Sequence, residues 1–230
     1  MKKWIALALS LCLALGCTSA LAAGKLTVVQ ETYTPARLYS DTYAGYIFAE
    51  VTNSGDKNIE FANGIFEILT EDGEALESSD IWSCYPQVLA PGETGYISRY
   101  DTVDDATSAA DIPDYTLTVS GKSTQEEAPA RIKAEAAFEE IERWGDAIYQ
   151  VTVTLTNETE ETVYEPVVVF ALYDADGRLL YADMDQVYSV GIPAGQRVEV
   201  LLTVSDSLME VWQAAGTKAA TVQAIAYLED

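Results

Sequence analysis

The strongest constraint on this fold is that the chain resembles itself. Sliding the sequence by 104 positions brings Thr52-Asn53 onto Thr156-Asn157, Phe66 onto Phe170 and Asp72-Gly73 onto Asp176-Gly177. No gap is needed between these points. One deletion later, Gly92 in Leu-Ala-Pro-Gly falls on Gly195 in Ile-Pro-Ala-Gly. A period this long signals duplicated domains, because solenoids repeat roughly every 20–50 residues.

Within each copy the apolar residues alternate. Val151, Val153 and Leu155 point one way and Thr152, Thr154 and Thr156 the other, and Ile47, Ala49 and Val51 hold the corresponding places in the first copy. Val168, Phe170 and Leu172 continue the pattern up to Asp176-Gly177, a hairpin signal. Val198, Val200, Leu202 and Val204 supply another row, and Val222, Ala224, Ala226 and Leu228 a last one. Period two marks a strand with one face in a core. One sheet alone would leave its apolar face wet, so two must close over each other. The expected class is all-β: two tandem immunoglobulin-like antiparallel β-sandwich domains, each of about a hundred residues.

The seam is expected where Ser120–Ala130 turns polar, carries Gly121 and Pro129 and loses periodicity. This gives a first domain over 25–120, a linker over 121–130 and a second domain over 131–230. Ile132 to Arg143 is rich in Ala and Glu, which favours helix. Its alternating Ile132, Ala134, Ala136 and Phe138, and its place opposite Leu26 to Tyr33 in the repeat, predict a first strand instead. A short helix is predicted at 207–215, where Ser207 and Glu210 have capping-box spacing and Gly216 follows as a stop. In the first copy, Asp104 to Ala110 occupies that place, shorter and more polar.

The N-terminus predicts export. Lys2 and Lys3 precede an apolar run from about Ile5 to Leu15, too short for a span of roughly 20 residues and fitting a signal peptide over 1–22. No other stretch is long and apolar enough to cross a bilayer. Ala20-Leu21-Ala22 before Ala23 suits ordinary signal peptidase. Ala14-Leu15-Gly16-Cys17 loosely resembles a lipobox, so the expectation is a secreted or extracytoplasmic protein, with a lipid anchor on Cys17 as the alternative. Of three cysteines, Cys12 and Cys17 belong to the leader. Cys84 alone cannot form an intramolecular disulfide, and reads as a small buried hydrophobe beside Trp82 rather than as a reactive thiol.

A formal net charge of −24 repels phosphate backbones and excludes nucleic-acid binding through a basic patch. With 49% hydrophobic residues the chain is no disordered tail. Its acidic surface is self-repelling.

At Phe170-Ala171-Leu172-Tyr173-Asp174 the second copy resembles the signature of the FxLYD domain family, immunoglobulin-like modules of bacterial and archaeal surface proteins. Asn157, Asp176-Gly177 and the turn Pro193 to Gly195 extend the likeness. In the first copy the string is degraded to Phe66-Glu67-Ile68-Leu69-Thr70. The resemblance implies a sandwich and an extracytoplasmic setting, and no catalytic residues. By strand parity Phe170 and Leu172 enter the core, Tyr173 faces outward or packs at a sheet edge, and Asp174 accepts bonds from amides of the coming turn.

No histidine is present, which removes Ser-His-Asp and Cys-His catalysis and the commonest transition-metal ligand. One mature cysteine excludes a structural zinc site of the usual kind, and no phosphate-binding glycine loop occurs. Neither a cofactor nor a resident metal is expected. The sharpest metal candidate is calcium at Asp101, Asp104 and Asp105, with Asp111 and Asp114 nearby, against a plain solvated acidic loop. Asp174 and Asp176 read as hairpin residues. Paired carboxylates of a hydrolase need a cleft to hold them. Trp82, Trp144 and Trp212, with many tyrosines, make a sugar-stacking surface the second reading. Asn157-Glu158-Thr159 fits a glycosylation sequon but ends a strand and suits a turn. The expectation is an exported, non-catalytic binding or spacer protein whose partner is an envelope protein or glycan. The alternatives are a carbohydrate-binding protein and a calcium-dependent adhesion module.

Overall fold

Alternation becomes strand almost throughout. The structure, a computed structural model, describes residues 25–143, 146–188 and 191–229. The signal peptide expected over 1–22, with Cys12 and Cys17, and Trp144 lie outside the described residues. In the first copy the strands are β1 (Leu26–Tyr39), β2 (Thr42–Asn53), β3 (Ile59–Leu69), β4 (Ala75–Ile81), β5 (Val88–Leu89), β6 (Thr94–Val103) and β7 (Asp114–Ser123). The second contributes β8 (Arg131–Arg143), β9 (Asp146–Thr156), β10 (Val163–Tyr164), β11 (Val167–Tyr173), β12 (Leu179–Gln186), β13 (Gly191–Ile192), β14 (Arg197–Thr203), helix α1 (Asp206–Ala215) and β15 (Thr221–Tyr227). Every pairing is antiparallel.

The first copy packs a sheet β1-β2-β6 over one in which β3 pairs β4, β5 and β7. Ile47, Ala49 and Val51 are fully buried there with Phe66, Ile68 and Ile97. The second copy runs β12-β11-β15-β8-β9-β14 as one continuous sheet. Strand β8 joins its two halves: Arg131 and Ile132 pair with β15, and Lys133–Arg143 pair with β9. Val151, Val153 and Leu155 are fully buried with Phe170 and Leu172, each of which contributes roughly 1.5–3 kcal/mol by burial. The all-β class and the sandwich layering follow the alternation. Ile132 to Arg143 is strand because its apolar residues recur every second position, and that outweighs Ala and Glu propensity.

The duplication holds at the level of single hydrogen bonds. Asn53 and Asn157, each fully buried, close the same loop in both copies. Asn53 Nδ2 donates to Lys57 O at 2.8 Å and Leu89 O at 2.9 Å, and Asn157 Nδ2 donates to Glu161 O and Ile192 O, both at 2.7 Å. Oδ1 accepts from Gly55 N in one and from Thr159 N in the other. Gly92 N and Gly195 N then donate to the asparagine carbonyls at 2.8 Å. Both glycines hold positive φ (79° and 70°), which is why the Pro-Gly-like turns survive in the repeat.

Two expectations need correction. The stretch 121–130 is not linker from its first residue: Gly121, Lys122 and Ser123 pair with Phe61, Glu60 and Ile59 as the end of β7. Polar side chains there hide a strand that pairs along β3. The capping box at Ser207 and Glu210 does not form. The helix starts at Asp206, after Ser205, with no side-chain cap. Ser207 Oγ instead donates to Leu38 O, and Glu210 pairs with Arg37 at 3.2 Å. Both partners belong to the first copy, so contacts distant in sequence replace the local cap. Gly216 ends the helix in the left-handed region, as its position predicts.

Candidate functional site

The outward face of β1-β2-β6 does not meet water along its whole width. Ala36, Ala44, Tyr46, Phe48 and Tyr96 join the buried core of the second copy. Edge strand β12 lies across this face, which shields backbone groups an open edge would expose. Thr32 Oγ1 donates to Leu179 O, and Gln30 Oε1 accepts from Leu179 N at 3.0 Å. At one end Tyr173 OH donates to Glu50 Oε2 at 3.1 Å, and Tyr96 OH lies 2.9 Å from it. At the other end α1 docks through Ser207 and Glu210. The Tyr173 of the FxLYD-like string is therefore buried as an inter-copy contact. Asp174 Oδ1 accepts from Asp176 N at 2.8 Å and Arg178 N at 2.9 Å, the turn role its position predicts.

Where β12 leaves the face, a cleft of about 600 Å³ opens between the two copies. Tyr46 and Phe48 of β2 form its floor, with Tyr100 and Ser98 directly opposite them on β6. Tyr181 and Asp183 of β12 form the facing wall, and Ser205 closes the end beside α1. The rings make a continuous row: Tyr100 to Tyr46 is 5.3 Å between centroids, and Phe48 to Tyr181 is 4.8 Å. Tyr100 stands 51% exposed at the rim.

Polar groups in this cleft are unevenly satisfied. Asp183 Oδ2 accepts from Tyr181 OH at 2.8 Å, and Oδ1 accepts from Met184 N at 2.8 Å. Burial pushes the Asp183 carboxyl above the usual carboxylate range; these two bonds offset the rise, and Asp185 adds to it. Asp183 forms no ion pair among the described residues. Tyr46 is only 5% exposed, and its buried hydroxyl faces the Ser205 and Ser207 hydroxyls beside α1. Arg99 and Asp101 also border the cleft, but they alternate with Tyr100 and so sit on the other face of β6. Arg99 Nε donates to Asp101 Oδ2 at 3.1 Å, and Ser79 Oγ donates to the same carboxylate.

The structure places the other candidates apart. Asp101 is tied to Arg99 and Ser79, while Asp104 and Asp105 are exposed in the turn after β6. Asp111 accepts from Thr107 and Ser108, and bonds from Thr107 chiefly hold its carboxyl below the usual range. Among the described residues no three carboxylates converge as a metal cage. Cys84 is buried, and desolvation pushes its thiol up to about 12, an unreactive setting. Trp212 is buried beside Tyr149 and Tyr181, whereas Trp82 is 69% exposed at the end of β4. Asn157 uses its amide on two carbonyls and is closed to modification. Tyr46, Tyr100, Tyr181 and Asp183 were not expected at a site. The signal for the first was apolar residues on both faces of β2, since Tyr46 and Phe48 alternate with Ile47 and Ala49.

No family model matches the chain, and no curated protein matches it. Among solved structures the chain is similar to red sea bream transglutaminase, at 12% identity and a TM-score of 0.22. The match covers 81% of this chain and 27% of that one, so the chain spans about a quarter of its length. A likeness this slight transfers neither fold detail nor activity.

Proposed function

We propose that this chain is an exported, non-catalytic binding protein that takes its ligand in the cleft between two β-sandwich domains joined edge to face. The observation that carries the reading is the cleft of about 600 Å³ walled by aromatic side chains of both copies, with the Asp183 carboxyl in its lining and in no ion pair among the described residues. The setting rests on the signal-like N-terminus and on the resemblance of Phe170 to Asp174 to FxLYD modules. The non-catalytic assignment rests on the lack of histidine and on the opposed orientations of Asp101 and Asp183. A sugar-stacking surface has less support. Tyr39, Trp82, Tyr164 and Tyr188 are exposed on separate segments and make no ring contact with one another among the described residues.

The reading is tested by a melting-temperature screen of the full chain against amines, neutral glycans and peptides. A ligand at a hundred times its Kd adds about 2.7 kcal/mol to stability, and Tyr100→Ala is expected to reduce the shift. Silence across all three classes sinks the reading. Mass spectrometry of the exported product is expected to find Ala23 first; a lipid on Cys17 would instead assign the anchored form.

A further inference from the structure

Resting on the binding reading above, we propose that the inter-copy cleft holds an organic cation, a primary ammonium or guanidinium group carried on a carbon chain. The charge placed in the cleft is one-sided. Asp183 points into it without an ion pair among the described residues, and Asp185, two positions along the same face of β12, reinforces the negative potential. The one cation at the border, Arg99, is neutralised by Asp101 on the opposite face of β6. Two hydrogen bonds reach Asp183, one at each oxygen, and a carboxylate offers about four lone-pair sites. Room for further donors remains at both oxygens.

The remaining groups fit the same ligand. Tyr100 stands half exposed at the rim, and rings attract ammonium and guanidinium groups within about 6 Å of their centroids. Phe48 and Tyr181 supply apolar wall for the carbon chain. A neutral glycan would leave the Asp183 charge uncompensated. The whole-chain charge of −24 further concentrates cations near the surface.

The test is calorimetric titration of the full chain with cadaverine, agmatine, tetramethylammonium and a short lysine-containing peptide, in about 0.15 M salt. Cadaverine or agmatine is expected to bind saturably, and stronger binding of the peptide would assign the source as a lysine side chain. Asp183→Asn, which keeps the shape and one of the two acceptor oxygens, is expected to weaken binding about tenfold or more. Tyr100→Ala, at an exposed rim position, is expected to weaken it about two- to fivefold. Asp176→Asn in the distant hairpin should change nothing. No saturable binding of any of these cations overturns the proposal, and so does binding that Asp183→Asn leaves intact. If chitobiose or methyl glucoside instead perturbs the cleft equally in wild type and Asp183→Asn, the cation inference falls and the binding reading stands. If neither cations nor glycans perturb it, both fall.

Discussion

The two copies agree where backbone groups must be satisfied and part company where one copy lies on the other. Asn53 and Asn157 make matching bonds to matching loops. Ten to sixteen residues further on, at the same offset, the strands differ. In β3 the outward positions Asn63, Ile65, Glu67 and Leu69 are at least partly exposed, whereas Val167, Val169, Ala171 and Tyr173 of β11 are all buried. The contact between copies shows the same divergence. Tyr46 and Phe48 correspond to Gln150 and Thr152, and Tyr181 corresponds to Glu77. A duplicated scaffold keeps its closures and changes its exposed faces, because a lost closure strands buried carbonyls while an exposed face tolerates most residues.

The comparison breaks most sharply if the first copy's residues are written into the second. Ala171→Glu copies Glu67 into a fully buried position. It is expected to cost on the order of 3–5 kcal/mol by leaving a carboxylate uncompensated, read from urea unfolding, whereas Glu67→Ala should cost under about 1 kcal/mol. Next come the shared closures. Asn53→Ala and Asn157→Ala should each cost roughly 2–4 kcal/mol, because each strands two carbonyls. A difference well above about 1 kcal/mol between them would mean that the hydrogen bonds are matched but the loops are not.

Smaller effects probe the contact itself. Tyr173→Phe should cost about 1–3 kcal/mol, since Tyr96 and Glu50 lose their shared partner. Leu69, its counterpart, has no such role. Last is alkaline pH. Burial raises the Tyr173 phenol above its ordinary value, with Tyr96 and Glu50 adding to the rise, and pushes Tyr115 up to about 12. The unfolded phenols ionise near pH 10, so this stabilisation is fully present below that pH and is lost as pH rises beyond it. Denaturant midpoints should hold to about pH 10 and then fall, less steeply in Tyr173→Phe. An unchanged slope would put the alkaline sensitivity in the other buried tyrosines.

Much of the architecture was legible because strand alternation is local. Val151, Val153 and Leu155, and their counterparts Ile47, Ala49 and Val51, were assigned inward from parity alone, and all are fully buried. Ser207 and Glu210 misled because a local cap and a partner distant in sequence compete for the same atoms. The cleft was not legible at all. Tyr46, Tyr100 and Asp183 come from three strands of the two copies, and only their mutual placement brings them together. A residue-by-residue comparison of the copies would have flagged the contact, since positions aromatic in one copy and polar in the other mark it.

Edge strand β12 resting on the face of β1-β2-β6 is a heterologous contact, with two different surfaces meeting. Such contacts propagate into open filaments when each unit carries both surfaces. Here each copy carries only one. The first lacks a matching edge, for β4 presents exposed Glu77 and Asp80. The second lacks a matching face, for β9 presents Gln150, Thr152 and Thr154. Both ends of the pair are thereby blunt. These two strands therefore do not offer the same edge-to-face contact to a further copy, and Glu77→Tyr together with Asp80→Ala is the change most suited to creating it.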